Sequence, residues 1–74
     1  MEERILTVLA SIDQEIVSYD GDNLYDAGII DSMAVLDIVS ALEDEFGIEI
    51  DAELVVAENF ANKDTIIAFM QELL

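Results

Sequence analysis

Residues 27–39 read AGIIDSMAVLDIV, which sets the hydroxyl of Ser32 directly behind the carboxylate of Asp31, with apolar residues on either side. Three chemistries are open to a serine so placed. Ser and Asp are both preferred helix caps, whose side-chain oxygen accepts a backbone N–H of the first turn, so Ser32 could simply begin a helix. As a catalytic nucleophile it would need a base. The chain has no histidine, and its sole lysine, Lys63, lies far along the sequence, which removes the usual partners of an activated serine. The third chemistry needs no base inside this protein. A hydroxyl at a helix start is exposed, and a phosphate esterified to it would meet free backbone N–H groups and the positive end of the helix dipole. Another enzyme would make that modification.

The rest of the composition also points away from catalysis. There is no cysteine and no histidine, which excludes disulfides, thiol nucleophiles, the common zinc ligands and the side chain best suited to proton transfer near neutral pH. Arg4 and Lys63 face 18 acidic residues, for a formal net charge of −16. A surface of that sign is repelled by nucleic-acid phosphates and anionic membranes; basic protein surfaces are the expected partners. DGDN, at residues 20–23, has neither the ligand spacing nor the closing Glu of a calcium loop.

No apolar run approaches the roughly 20 residues that span a bilayer, so no membrane insertion is expected. The N-terminus, MEERILTVLA, begins with acids rather than a basic signal region, and a cytoplasmic location is expected. The 74 residues are enough for one domain. Met1 and the nearby C-terminus suggest a freestanding domain over residues 1–74.

These residues need helices to hold them. Ile5, Val8, Leu9, Ile12 and Ile16 recur at three- and four-residue steps, predicting an amphipathic helix over about residues 2–16. SYDGDNLYDAG, residues 18–28, concentrates turn formers and reads as a long loop pinned by Leu24 and Tyr25. A second helix is predicted over about 32–46, ended by Gly47, with Val35, Ile38, Val39, Leu42 and Phe46 on one core-facing stripe. Its opposite face gathers Met33, Leu36, Asp37, Ser40, Glu43 and Asp44. A short third helix is predicted near 57–61. The last runs through KDTIIAFMQELL, capped by Asn62, with Asp64 in its first turn and Ile66, Ile67, Met70, Leu73 and Leu74 turned inward. The fold class is all-α: a small antiparallel four-helix bundle with a short third helix and a long loop between helices one and two.

With these features together, the chain resembles the acyl carrier proteins and their relatives, the peptidyl and D-alanyl carriers. GIIDSM, residues 28–33, matches the phosphopantetheine attachment motif of that family, and LYDAG, ALEDEFGIEI and the NF before the last helix supply its context. The resemblance covers essentially the whole chain.

It implies a non-catalytic carrier. Ser32 would receive 4'-phosphopantetheine from coenzyme A through a separate magnesium-dependent phosphopantetheinyl transferase, with Asp31 helping to position the hydroxyl and the metal. An acyl- or aminoacyl-activating ligase would load the arm as a thioester, raising the cargo's effective concentration at downstream acyl transferases or synthases. The resemblance further implies that Asp37, Glu43 and Asp44 meet basic patches on those partners, that Met33 and Leu36 make apolar contacts, and that the carrier is a monomer. Met33 after Ser32 and the length between Ile50 and Phe60 are closer to D-alanyl and some aminoacyl or polyketide carriers than to fatty-acid carriers. Phe60 stands where D-alanyl carriers often have Trp. An unmodified acidic bundle acting as an adaptor is the alternative from another class.

Overall fold

The structure, a computed structural model, describes residues 2–74. Helix α1 spans Glu2–Ile12. Glu2 and Glu3 in its first turn suit the positive end of the dipole, and it turns Ile5, Val8 and Leu9 into the core.

The continuous helix expected over 2–16 is interrupted at Asp13. That residue is extended (φ −159°, ψ 119°), and its carboxylate accepts the Glu15 N–H at 2.9 Å, capping a separate short helix α2, Gln14–Ser18. A short carboxylate offers nearby N–H groups an alternative to the helical carbonyl, and here it wins. Periodicity could not reveal the break, because Ile16 still reaches the core after it.

Loop 19–30 is held by its own side chains. The Asn23 side-chain oxygen accepts the N–H groups of Tyr25 and Asp26 at 2.9 and 3.2 Å, and the Tyr19 hydroxyl donates to the Asn23 carbonyl. Leu24 is buried and Tyr25 half-buried, so both predicted anchors face inward to different extents. Ile30 is a third anchor, also buried.

Helix α3 spans Ser32–Phe46, as predicted, and Gly47 ends it in the left-handed region (φ 65°, ψ 37°) with its N–H donating to the Glu43 carbonyl at 2.8 Å. Val35, Ile38, Val39 and Leu42 are buried. Phe46 departs from the predicted stripe. It is only half-buried, with the Arg4 guanidinium 4.7 Å above its ring.

No α-helix forms over 48–62. The predicted short third helix is a single 3-10 turn, Ala57–Asn59, preceded by another, Ala52–Leu54. Ile50 and Phe60 pin this connection to the core.

Helix α4, Lys63–Leu73, begins with a capping box. The Asn62 side chain accepts the Thr65 N–H at 2.9 Å, and the Thr65 hydroxyl oxygen accepts the Asn62 N–H at 3.1 Å. Ile66, Ile67, Phe69 and Met70 are buried. Leu73 is half-buried, and Leu74, expected inside, is exposed beyond the last turn.

Long-range polar contacts give the helix directions. Arg4, at the start of α1, donates to the side chain and carbonyl of Glu45, at the end of α3. Lys63, at the start of α4, donates to the Tyr19 carbonyl just past α2. Helices α3 and α4 therefore both run opposite to α1. The loop, the head of α3 and the head of α4 share one end of the bundle.

Candidate functional site

The loop delivers its last residues to fixed places. Gly28 takes a positive φ of 76° and donates its N–H to the Tyr25 carbonyl, and the N–H groups of Ile29 and Ile30 both point at the Leu24 carbonyl. Leu24 is in turn tied to the last helix's approach through its N–H to the Ala61 carbonyl at 2.6 Å. Burial of Ile30 then fixes where Asp31 must lie. Burial also raises the Tyr25 phenol above its ordinary value of 10.0, so this part of the loop carries a neutral hydroxyl.

Asp31 is the cap of α3. It is extended (φ −138°, ψ −173°), its carboxylate accepts the Ala34 N–H at 2.9 Å, and its carbonyl accepts the Val35 N–H at 3.0 Å. Ser32 is the first helical residue and is exposed. Of the two roles open to Ser32 at a helix start, the capping role has gone to its neighbour. The first N–H groups of α3, at Ser32 and Met33, lie ahead of any intrahelical acceptor, at the same helix end as the exposed Ser32. A phosphate ester at that oxygen fits these residues: it needs an accessible hydroxyl, nearby unpaired N–H donors and a favourable dipole, and α3 presents all three.

At about 100° per residue, Ser32, Met33, Leu36, Asp37, Ser40, Glu43 and Asp44 fall within one side of α3. The structure exposes six of them. Met33 and Leu36 are 76% and 60% exposed, and Asp37, Ser40 and Asp44 stand in solvent with them. Glu43 differs. It is half-buried, and its Oε2 accepts the Ile50 N–H at 2.7 Å, which ties the end of α3 to the connection that follows. Both cations are engaged elsewhere, Arg4 on Glu45 and Phe46, Lys63 on Tyr19 and Asp20. The exposed side of α3 is thus acidic and apolar, with no positive charge of its own.

Leu54 and Val56, on the 3-10 connection, are also exposed apolar side chains, at 38% and 39%, and sequence reasoning did not single them out. They belong to an irregular segment with no period from which a face could be read.

A family model described as "Phosphopantetheine attachment site" matches residues 3–63, from the start of α1 to the first residue of α4, with Ser32 inside the match. The chain belongs to that family. It is a carrier protein of the acyl carrier type, a family whose members hold a covalently attached 4'-phosphopantetheine. No curated protein and no solved structure matches the chain. The all-α bundle expected from the sequence is the fold observed, with no strand among the described residues. Among the described residues, no helix is long and apolar enough to cross a membrane.

Proposed function

We propose that Ser32 is the attachment residue and that the chain, acting as one domain over residues 1–74, is a non-catalytic carrier of an acyl or aminoacyl group. One observation carries this reading. Asp31 rather than Ser32 caps α3, which leaves the serine oxygen exposed beside unpaired N–H groups. In the modification, the Ser32 oxygen forms a new P–O ester as the pyrophosphate bond of coenzyme A breaks, adenosine 3',5'-bisphosphate leaves, and the serine proton passes to the transferase. Asp31 keeps the head of α3 formed while this occurs, and its outer carboxylate oxygen is available to help orient the hydroxyl and a transferase-bound magnesium ion. When bound, the arm supplies the terminal thiol that this cysteine-free chain lacks and that carries the cargo as a thioester.

The exposed side of α3 is the docking surface in this reading. Asp37 and Asp44 attract basic patches on the transferase, the activating ligase and the downstream acyl transferases or synthases, while Met33 and Leu36 give each of them an apolar contact. Glu43 contributes charge there only with its outer oxygen. The carrier works as a monomer in the cytoplasm.

Intact mass after incubation with coenzyme A and a broad-specificity phosphopantetheinyl transferase tests the proposal. The chain should gain one phosphopantetheine and the Ser32→Ala variant none. An unmodified wild-type chain would instead favour the adaptor reading, in which the acidic bundle binds its partner without any arm.

A further inference from the structure

We infer that Lys63 and Asn62 are positioning residues for the modification: from the head of α4 they hold the loop that sets Ser32 where a transferase engages it. The inference rests on Ser32 as the attachment residue. Three hydrogen bonds fasten loop 19–24 to residues 61–63. The Lys63 ammonium donates to the Tyr19 carbonyl at 3.0 Å, the Asn62 side-chain amide donates to the Asp22 carbonyl at 3.0 Å, and the Leu24 N–H donates to the Ala61 carbonyl at 2.6 Å. The loop passes this placement on to its far end. The Tyr19 hydroxyl and the Asn23 side-chain oxygen hold the turn that contains Leu24, and the Leu24 carbonyl in turn collects the N–H groups of Ile29 and Ile30. Ile30 is buried, and Asp31 and Ser32 follow it directly.

Lys63 is the sole lysine, and its surroundings set it apart from a surface charge. Its side chain is 24% exposed, whereas that of Asp20, the carboxylate 3.4 Å away, is 95% exposed. A pair so open to water contributes little. The ammonium is seated instead by the Tyr19 carbonyl, just past the end of α2, where backbone acceptors lack a helical partner. Asn62 has two duties that can be separated: its oxygen caps α4, and its amide N–H ties down the loop. Among the described residues no hydrogen bond joins α4 to α3 directly, so the loop is the polar link between their heads. The demand it meets is geometric. Attack at phosphorus requires the Ser32 oxygen in line, and a misplacement of about 1 Å can cost about a hundredfold. A loop that wanders leaves only a fraction of the carriers seated, and the apparent affinity for the transferase falls by that fraction.

Two substitutions remove the side-chain ties and spare the cap: Lys63→Met keeps the apolar stem, and Asn62→Ser keeps a capping oxygen. In the unmodified chain each should speed amide exchange at Leu24 and Ile29 about fivefold, the factor for one ordinary hydrogen bond, with Leu9 in α1 unchanged. The double variant is then assayed with coenzyme A and a phosphopantetheinyl transferase at a temperature where it is fully folded. Its KM as carrier should rise severalfold while kcat stays at the wild-type value, a split that a loss of global stability would not produce. Charge alone predicts the reverse, because the more acidic chain left by Lys63→Met would bind a basic transferase more tightly. A wild-type KM, or wild-type exchange at Leu24 and Ile29, would overturn the inference. A wild-type chain that takes up no arm would strike the attachment reading instead, and exchange at Ile29 would still decide whether Lys63 and Asn62 govern the far end of the loop.

Discussion

Asp31 and Ser32 could each have capped α3, Asp31 does so, and substitutions can separate the cap from the attachment proposed for Ser32. Ser32→Ala should abolish loading while shifting stability by no more than about 0.5 kcal/mol, because it removes no capping bond. Asp31→Ala loses the bond to the Ala34 N–H and should cost about 1 kcal/mol, which lowers the melting temperature of a domain this size by about 4–8 °C. Asp31→Asn keeps a capping oxygen and should melt near the wild type. Its rate of modification by the transferase then isolates what the charge contributes, and a wild-type rate would remove Asp31 from the positioning role. GIIDSM points to this corner from the sequence, because a helix cap and an exposed helix start are local properties. The fate of Glu43 was not local. Its partner, the Ile50 N–H, lies beyond a helix end and a left-handed turn, so only the folded chain assigns it an internal bond.

Elements were legible where a cap and a period agreed. Helix α3, predicted over about 32–46, matches Ser32–Phe46, since Asp31 and Ser32 are both cap formers and Gly47 closes it. Gly47→Ala meets no neighbouring atom, yet it forces a side chain into φ 65° and should destabilise by about 1–2 kcal/mol in chemical denaturation. A loss near zero would mean that the helix end rearranges freely. Asn62 serves two elements at once, capping α4 and donating to the Asp22 carbonyl of the loop at 3.0 Å. Asn62→Ala should therefore cost about 1–2 kcal/mol and also speed hydrogen exchange in loop 19–24, whereas a simple cap would leave that loop unchanged. The first helix and the third misled for opposite reasons. At Asp13 the apolar period ran across a real break, and over 57–61 the residues form only a single tight turn because Phe60 is drawn into the core just past it.

The whole molecule is dominated by one sign of charge. Eighteen acids against two bases, with both bases engaged in contacts within the chain, leave the folded state under self-repulsion that counterions relieve. The melting temperature should rise steadily as sodium chloride is increased from about 10 mM to several hundred millimolar, over which the Debye length shrinks from about 30 Å to a few ångströms. Indifference to salt would show that the acids are too dispersed to oppose folding. The same charge should make docking to basic partners faster at low salt, chiefly through the association rate. The carrier's fold and its encounters thus respond to salt in opposite directions.

Residue types and their short-range spacing were enough to determine an all-helical chain, an acidic composition, and a serine at the start of a helix, because caps, periods and charge act within a few residues of chain. Tertiary structure alone decided that Glu43 turns to Ile50, that Phe46 lies under Arg4, and that the core closes around Phe60 and Phe69. Each of these reaches beyond a single helix, forms only when packing brings the partners together, and no local pattern specifies which of several suitable partners a side chain will meet.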